Sequence, residues 1–198
     1  MLPAGYALTW SGQYEYMERA KARLAYVVPL TLAIIVLLLY LAFRRMQEVL
    51  LILTTLPLAV VGGIWTVWLL DFNLSVAVGV GFIALAGVAV ETGVLMLVYL
   101  NHAWDDLLAR GKPDLRGLHQ AVIQGAALRL RPKMMTVVTI IAGLLPIMWS
   151  HGTGSEVMQR IAAPMIGGMV TALVLTLLVL PAAFYLWRRR GLAPGQAD

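Results

Sequence analysis

Five long apolar runs divide this chain, and short polar or basic segments separate them. The runs cover 25–43, 49–70, 75–100, 134–150 and 161–187. Each is near the ~20 residues that a helix needs to cross a bilayer. They are too long and too uniformly apolar for strands, and a backbone in lipid must satisfy its own hydrogen bonds, as a helix does. The pattern predicts an all-α membrane protein built on a bundle of five transmembrane helices. Between the third and fourth runs, Leu115, Leu118, Val122, Ile123 and Leu130 recur at helical spacing. That spacing predicts one amphipathic helix over 115–131, lying on the cytoplasmic membrane surface. Pro132 disfavours helical backbone at Arg131 and predicts a break or kink before the fourth span. The expected organisation is an extramembrane segment at 1–24, a membrane domain at 25–187 with a loop at 101–133, and a tail at 188–198.

Composition supports the membrane reading. Hydrophobic residues make up 61% of the 198, charged residues 13%, and the mean hydropathy is +0.83. A soluble domain carries about 25% charged residues. There is no cysteine, which removes disulfides, thiolate metal sites and a cysteine nucleophile. The net charge of +5 is concentrated beside the spans, so it reads as topology and not as nucleic-acid binding. Arg44, Arg45, Arg110, Lys112, Arg116, Arg129, Arg131, Lys133, Arg188, Arg189 and Arg190 fall on one side; Arg19, Lys21, Arg23 and Arg160 fall on the other. The positive-inside rule assigns the first group to the cytoplasm, with the N-terminus outside and the C-terminus inside. The first residues lack the basic start of a signal peptide, and Met1 reads as a cut into a longer chain.

Few residues could carry chemistry. Glu91 lies in the middle of the third apolar run, where a carboxylate costs roughly 2.5–3.5 kcal/mol on insertion scales. Such a group either binds and releases protons or forms a polar link to another helix. Lys133 opens the fourth run, and by position it is an interfacial lysine whose charge reaches the headgroups. It reaches Glu91 only if the fourth helix starts earlier, near Arg129; Thr136, one turn on, would then add a hydroxyl. Among ten methionines, Met158 stands at an outer helix mouth beside Glu156 and His151. A thioether suits Cu(I) or Ag(I), and it also fills gaps in apolar helices. His102, His119 and His151 have no metalloenzyme spacing. No catalytic set is present, so the chain is not read as an enzyme.

Several segments taken together carry a family resemblance: Leu2-Pro-Ala-Gly-Tyr6, Trp10-Ser-Gly-Gln-Tyr14, Phe43-Arg-Arg45, Thr55-Leu-Pro57, Gly62-Gly63, Asn73-Leu-Ser75, Gly81-Phe-Ile-Ala-Leu-Ala-Gly87, Arg129-Leu-Arg-Pro132 with Met135-Thr136, Gly152-Thr-Gly-Ser-Glu156 and Gly167-Gly168. Over residues 2–188 the chain resembles the C-terminal part of heavy-metal efflux pumps of the resistance–nodulation–division superfamily. Glu91 together with Lys133, and Met158 after Ser-Glu-Val, resemble the copper/silver branch. The resemblance implies the C-terminal portion of a twelve-helix, proton-driven Cu(I)/Ag(I) exporter in the bacterial inner membrane. It implies a proton relay through Glu91 and Lys133, with Arg129 and Thr136 as neighbours, and a metal path past Met158. It also implies no resident cofactor, and partners in the N-terminal half of the pump, a homotrimer, a periplasmic adaptor and an outer-membrane channel. The alternative is a truncated remnant that serves as a structural or partner-binding membrane domain without transport.

Overall fold

A computed structural model describes residues 12–109, 111 and 114–192. Among them are six helices and no strand: α1 (Gln13–Phe43), α2 (Met46–Leu53), α3 (Thr55–Leu69), α4 (Val76–Ala109), α5 (Leu115–Met148) and α6 (Ser155–Gly191). Five spans result that are long and apolar enough to cross a membrane, with α2 and α3 sharing one of them. The chain divides into two compact units. The first contains α1, an unbroken 31-residue helix that takes in the basic stretch expected outside the membrane as well as the first apolar run. It stops at Arg44, whose left-handed backbone (φ 55°) lets its N–H donate to the Tyr40 carbonyl at 2.8 Å. The second unit contains α2 to α6.

The second run is not one helix. It breaks at Thr54, between α2 and α3, and Pro57 is the reason. Proline has no N–H for the carbonyl four residues earlier, and its ring crowds that carbonyl; here it belongs to Leu53. Two hydroxyls occupy neighbouring carbonyls: Thr54 Oγ1 donates to Leu50 at 2.9 Å and Thr55 Oγ1 to Ile52 at 2.6 Å.

The opposite holds at Pro132. The expected surface helix over 115–131 and the fourth span are one continuous 34-residue helix, α5. Pro132 is exposed, so its ring need not fit a packed interface and a local bend suffices. The early part of α5 does not lie free on a surface either. Leu118, Ala121 and Val122 are buried, and a Cβ built on Gly125 would sit 3.2 Å from the Tyr99 carbonyl of α4. The His119 ring meets Tyr185 of α6 edge-on at 6.0 Å. One face of this segment packs against α4 and α6, and the segment is the first part of α5 and not a separate helix. Asp114 caps α5, its Oδ1 accepting from Gly117 N at 2.7 Å. The N-terminal turns of α5 and the last nine residues of α4 lengthen both helices beyond the expected spans. At 34 residues each they run about 51 Å, well past a hydrocarbon core of about 30 Å.

Helix α6 packs against α3, α4 and α5. Its contact with α3 is reciprocal. A Cβ on Gly62 would lie 2.6 Å from the Gly167 carbonyl, and a Cβ on Gly167 would lie 2.7 Å from the Gly62 carbonyl. A Cβ on Gly81 of α4 would meet Pro164 Cγ at 2.6 Å and also run into the Ile161 carbonyl. The backbones therefore touch, which only small residues permit. Below this contact Ala59, Leu85, Ala89, Val137, Met169, Ala172 and Leu173 form a common core. Gly79, Gly87 and Gly143 face open space instead. Replacing Gly167 with alanine is expected to cost about 1–3 kcal/mol through overpacking. Gly143→Ala is expected to change stability by less than about 0.5 kcal/mol. Thermal unfolding of the detergent-solubilised protein compares the two.

Candidate functional site

Helices α4 and α5 line an open cavity of about 90 Å³. Arg129, Lys133 and Thr136 are spaced i, i+4 and i+7 on α5, so they share one face. Glu91 faces them from α4, and all four line the cavity, with Val88, Leu95, Met96 and Ile140 as its apolar wall. The register follows from the continuity of α5. Because that helix begins at Leu115 and not beside Lys133, the lysine is carried up along α4 to the level of Glu91. The placement of Lys133 as a snorkelling residue at a helix start is thereby corrected: it lies in the helix interior and lines the cavity.

The cavity's polar groups are held apart. No ion pair within 4.0 Å joins Glu91 to Lys133 among the described residues, and Glu91 is exposed on the open side of α4. Lys133 Nζ and Arg129 Nε are both buried without a hydrogen-bond partner among the described residues. Leaving such donors unmatched is costly. The Arg129 guanidinium carbon stands 4.3 Å above the Tyr99 ring centroid, where the π-face attracts the cation. Thr136 Oγ1 donates back to the Pro132 carbonyl at 3.1 Å.

Met158 does not join this group. It is exposed in the first turn of α6 and is not among the residues lining the cavity. The turn before it is fixed by Gln159, whose Nε2 donates to the Ser150 carbonyl at 2.9 Å. Among the described residues no group of three His, Asp or Glu side chains is placed to hold a metal ion.

A second polar cluster was not foreseen. Glu48 of α2 is only 3% exposed. Its Oε2 accepts from Asn101 Nδ2 of α4 at 3.0 Å, and Asn101 Oδ1 accepts from Arg188 Nη2 of α6 at 3.2 Å. Arg188 also stands 3.7 Å from Glu48 Oε1, with Arg45 at 3.9 Å. The Arg188 guanidinium stacks on Trp187 at 4.4 Å, and on Trp104 and Phe184 at 5.2 and 5.3 Å. A signal was present in the chain. Glu48 falls in helical phase with the buried positions Val49, Ile52 and Thr55. Its neighbours Arg44 and Arg45 made it look like an ordinary headgroup charge, and Arg188 had the same appearance beside Arg189 and Arg190.

Comparison with known proteins shows the family of the chain. The AcrB/AcrD/AcrF family profile matches residues 1–188. The chain is 56% identical over 193 residues to the cation efflux system protein CusA of Escherichia coli K12, covering 96% of this chain and 18% of that protein. It is 43% identical over 189 residues to the protein HelA of Legionella pneumophila, covering 96% and 17%. To the cobalt-zinc-cadmium resistance protein CzcA of Cupriavidus metallidurans it is 38% identical over 189 residues, again 96% and 17%. The crystal structure of a heavy metal efflux pump superposes with a TM-score of 0.78 at 38% identity, over 96% of this chain and 18% of that one. The chain thus spans less than a fifth of the length of these relatives. Across nearly its whole length, the chain belongs to the AcrB/AcrD/AcrF family of resistance–nodulation–division transporters, in the heavy-metal efflux branch of CusA type.

Proposed function

We propose that this chain is the membrane portion of a proton-driven Cu(I)/Ag(I) efflux transporter in which Glu91 carries the proton. The observation that supports this most is the gathering of Glu91, Arg129, Lys133 and Thr136 around one cavity, from two different helices. An ionised Glu91 attracts Lys133 and Arg129 across the cavity, and a protonated one does not. In a medium of low dielectric that difference is large enough to shift helix packing. The unmatched donors on Lys133 and Arg129 are then the groups that respond when the carboxylate changes state. Thr136 lines the same cavity as a hydroxyl neighbour, and Tyr99, outside it, is the platform for the Arg129 cation. Copper and silver enter as cargo. Met158 offers a soft thioether on the exposed first turn of α6, where a monovalent soft ion could be handed on. The excess of basic residues on one side supports a bacterial inner-membrane setting, with the N-terminus periplasmic and the C-terminus cytoplasmic. The family relation supports assembly as a homotrimer with a periplasmic adaptor and an outer-membrane channel.

Glu91→Gln in a full-length transporter carrying this segment is expected to insert normally and to lose metal resistance by at least about tenfold, the loss typical of a missing proton-transfer group. Growth of a copper- and silver-sensitive host, with membrane insertion checked in parallel, measures this; full retained export would remove Glu91 from the mechanism. Met158→Leu keeps the volume and removes the sulfur. It is expected to reduce silver export while leaving proton release by ionophore-treated vesicles intact, and an unchanged metal dose response would make Met158 a packing residue.

The short span relative to the relatives favours a second reading of the chain by itself: a membrane domain that assembles with partners and does not transport. Expression alone, and together with the remainder of a relative, separates the two. Resistance from the chain alone would defeat the second reading. Resistance in neither case, despite verified insertion, would defeat the transport reading.

A further inference from the structure

Three linked polar side chains, Glu48 buried and Asn101 and Arg188 half-buried, lie outside the relay cavity. Glu48, Asn101 and Arg188 come from α2, α4 and α6, and they connect in series through the Asn101 amide, which donates to Glu48 and accepts from Arg188. The cluster is held through the Glu48 carboxylate, the Asn101 amide and Arg188 Nη2, while Arg188 Nε has no hydrogen-bond partner among the described residues. The carboxylate is buried beside two arginines, and the Arg188 guanidinium is enclosed by Trp104, Phe184 and Trp187. A buried ion pair with an aromatic enclosure is weak evidence for stability, because the same space filled with apolar side chains would often be as stable. Its better-attested use is to specify one register between elements.

The position in α4 shows which register is specified. Helix α4 touches α6 closely at Gly81, against Ile161 and Pro164. It is tied to α6 again at Asn101 through Arg188. Glu91 lies midway, ten residues from either point, or about 15 Å along the helix from each. A helix held at one point can roll; held at two, on the same neighbour, it cannot. The direction in which Glu91 leaves α4, toward Arg129 and Lys133 on α5, is therefore set by the two ties.

We propose that Glu48, Asn101 and Arg188 are positioning residues that fix the rotation of α4 and so aim Glu91 at the α5 face carrying Lys133. None of them lines the cavity, and they act through α4. The inference rests on the relay reading of Glu91 given above. It assigns the motion that accompanies proton exchange to the α5 side of the cavity, since the α4 side is pinned.

The test uses a full-length transporter that carries this segment, with any cysteines elsewhere replaced; this chain has none of its own. Nitroxide labels at Leu95→Cys and Ile140→Cys report the distance across the cavity by pulsed electron paramagnetic resonance. Proteoliposomes loaded with Ag(I) report export as a function of pH. Asn101→Ala removes the link without creating a charge. It is expected to broaden or displace the label distance and to move the pH at half-maximal export, and Asn101→Gln, which restores an amide, is expected to return both toward the parent values. An unchanged distance distribution in Asn101→Ala would overturn the lock. A changed distribution with an unmoved pH midpoint would make the cluster structural and overturn the positioning role. Glu91→Gln is run beside them. Normal export there would sink the relay reading and the positioning role with it, and it would be told apart from a failed lock because the distances would still respond to Asn101→Ala.

Discussion

Direct backbone contact along α6 is the constraint on which the rest of the second unit depends. Gly62 and Gly167 each occupy the space that the other's Cβ would need, and Gly81 lies against the Ile161 carbonyl in the same way. In lipid there is little hydrophobic gain in pressing one apolar helix on another, so association rests on close van der Waals fit and on polar links. Small residues supply the first. With α3 and α4 seated on α6, the side chains of Leu85, Ala89, Met169 and Leu173 meet in a shared core. The separation of the helices is then no longer free to vary.

That fixed frame holds two kinds of charge with opposite character. Glu48 is enclosed, hydrogen-bonded and flanked by guanidinium groups. Glu91 is open to one side and has no ion-pair partner among the described residues, while the Lys133 ammonium and Arg129 Nε opposite it lack hydrogen-bond partners. Removing one partner of a buried ion pair is strongly destabilising, because it leaves an uncompensated charge. In the proposed relay, the first cluster keeps α4 in place and the second responds at its midpoint.

Much of this was legible in the chain. The apolar runs located all five spans, because a backbone in lipid has almost no alternative to the helix. The family resemblance singled out Glu91, Arg129, Lys133 and Thr136, four of the residues that line the cavity. The proline positions were read less well, and for a physical reason. Pro57 breaks the second span and Pro132 does not break α5, although both are prolines after a helical stretch. What differs is the surroundings: hydroxyls of Thr54 and Thr55 take up carbonyls at the break, whereas the packed face of α5 at Leu118, Val122 and Gly125 carries the helix through. The glycines divide in the same way, since only some of them meet a neighbouring backbone.

By itself the sequence determined the class and the number of spans, and it placed Glu91 in the middle of one of them. Hydropathy and charge are properties of each residue, and a bilayer sorts them along one axis. Which charges meet was decided only by the tertiary structure. The level of Lys133 beside Glu91 depends on where α5 begins, and the link from Glu48 through Asn101 to Arg188 joins residues 53 and 87 positions apart. Such meetings depend on how far helices approach and how they are rotated about their axes, and those quantities arise from packing between segments that are remote in the chain.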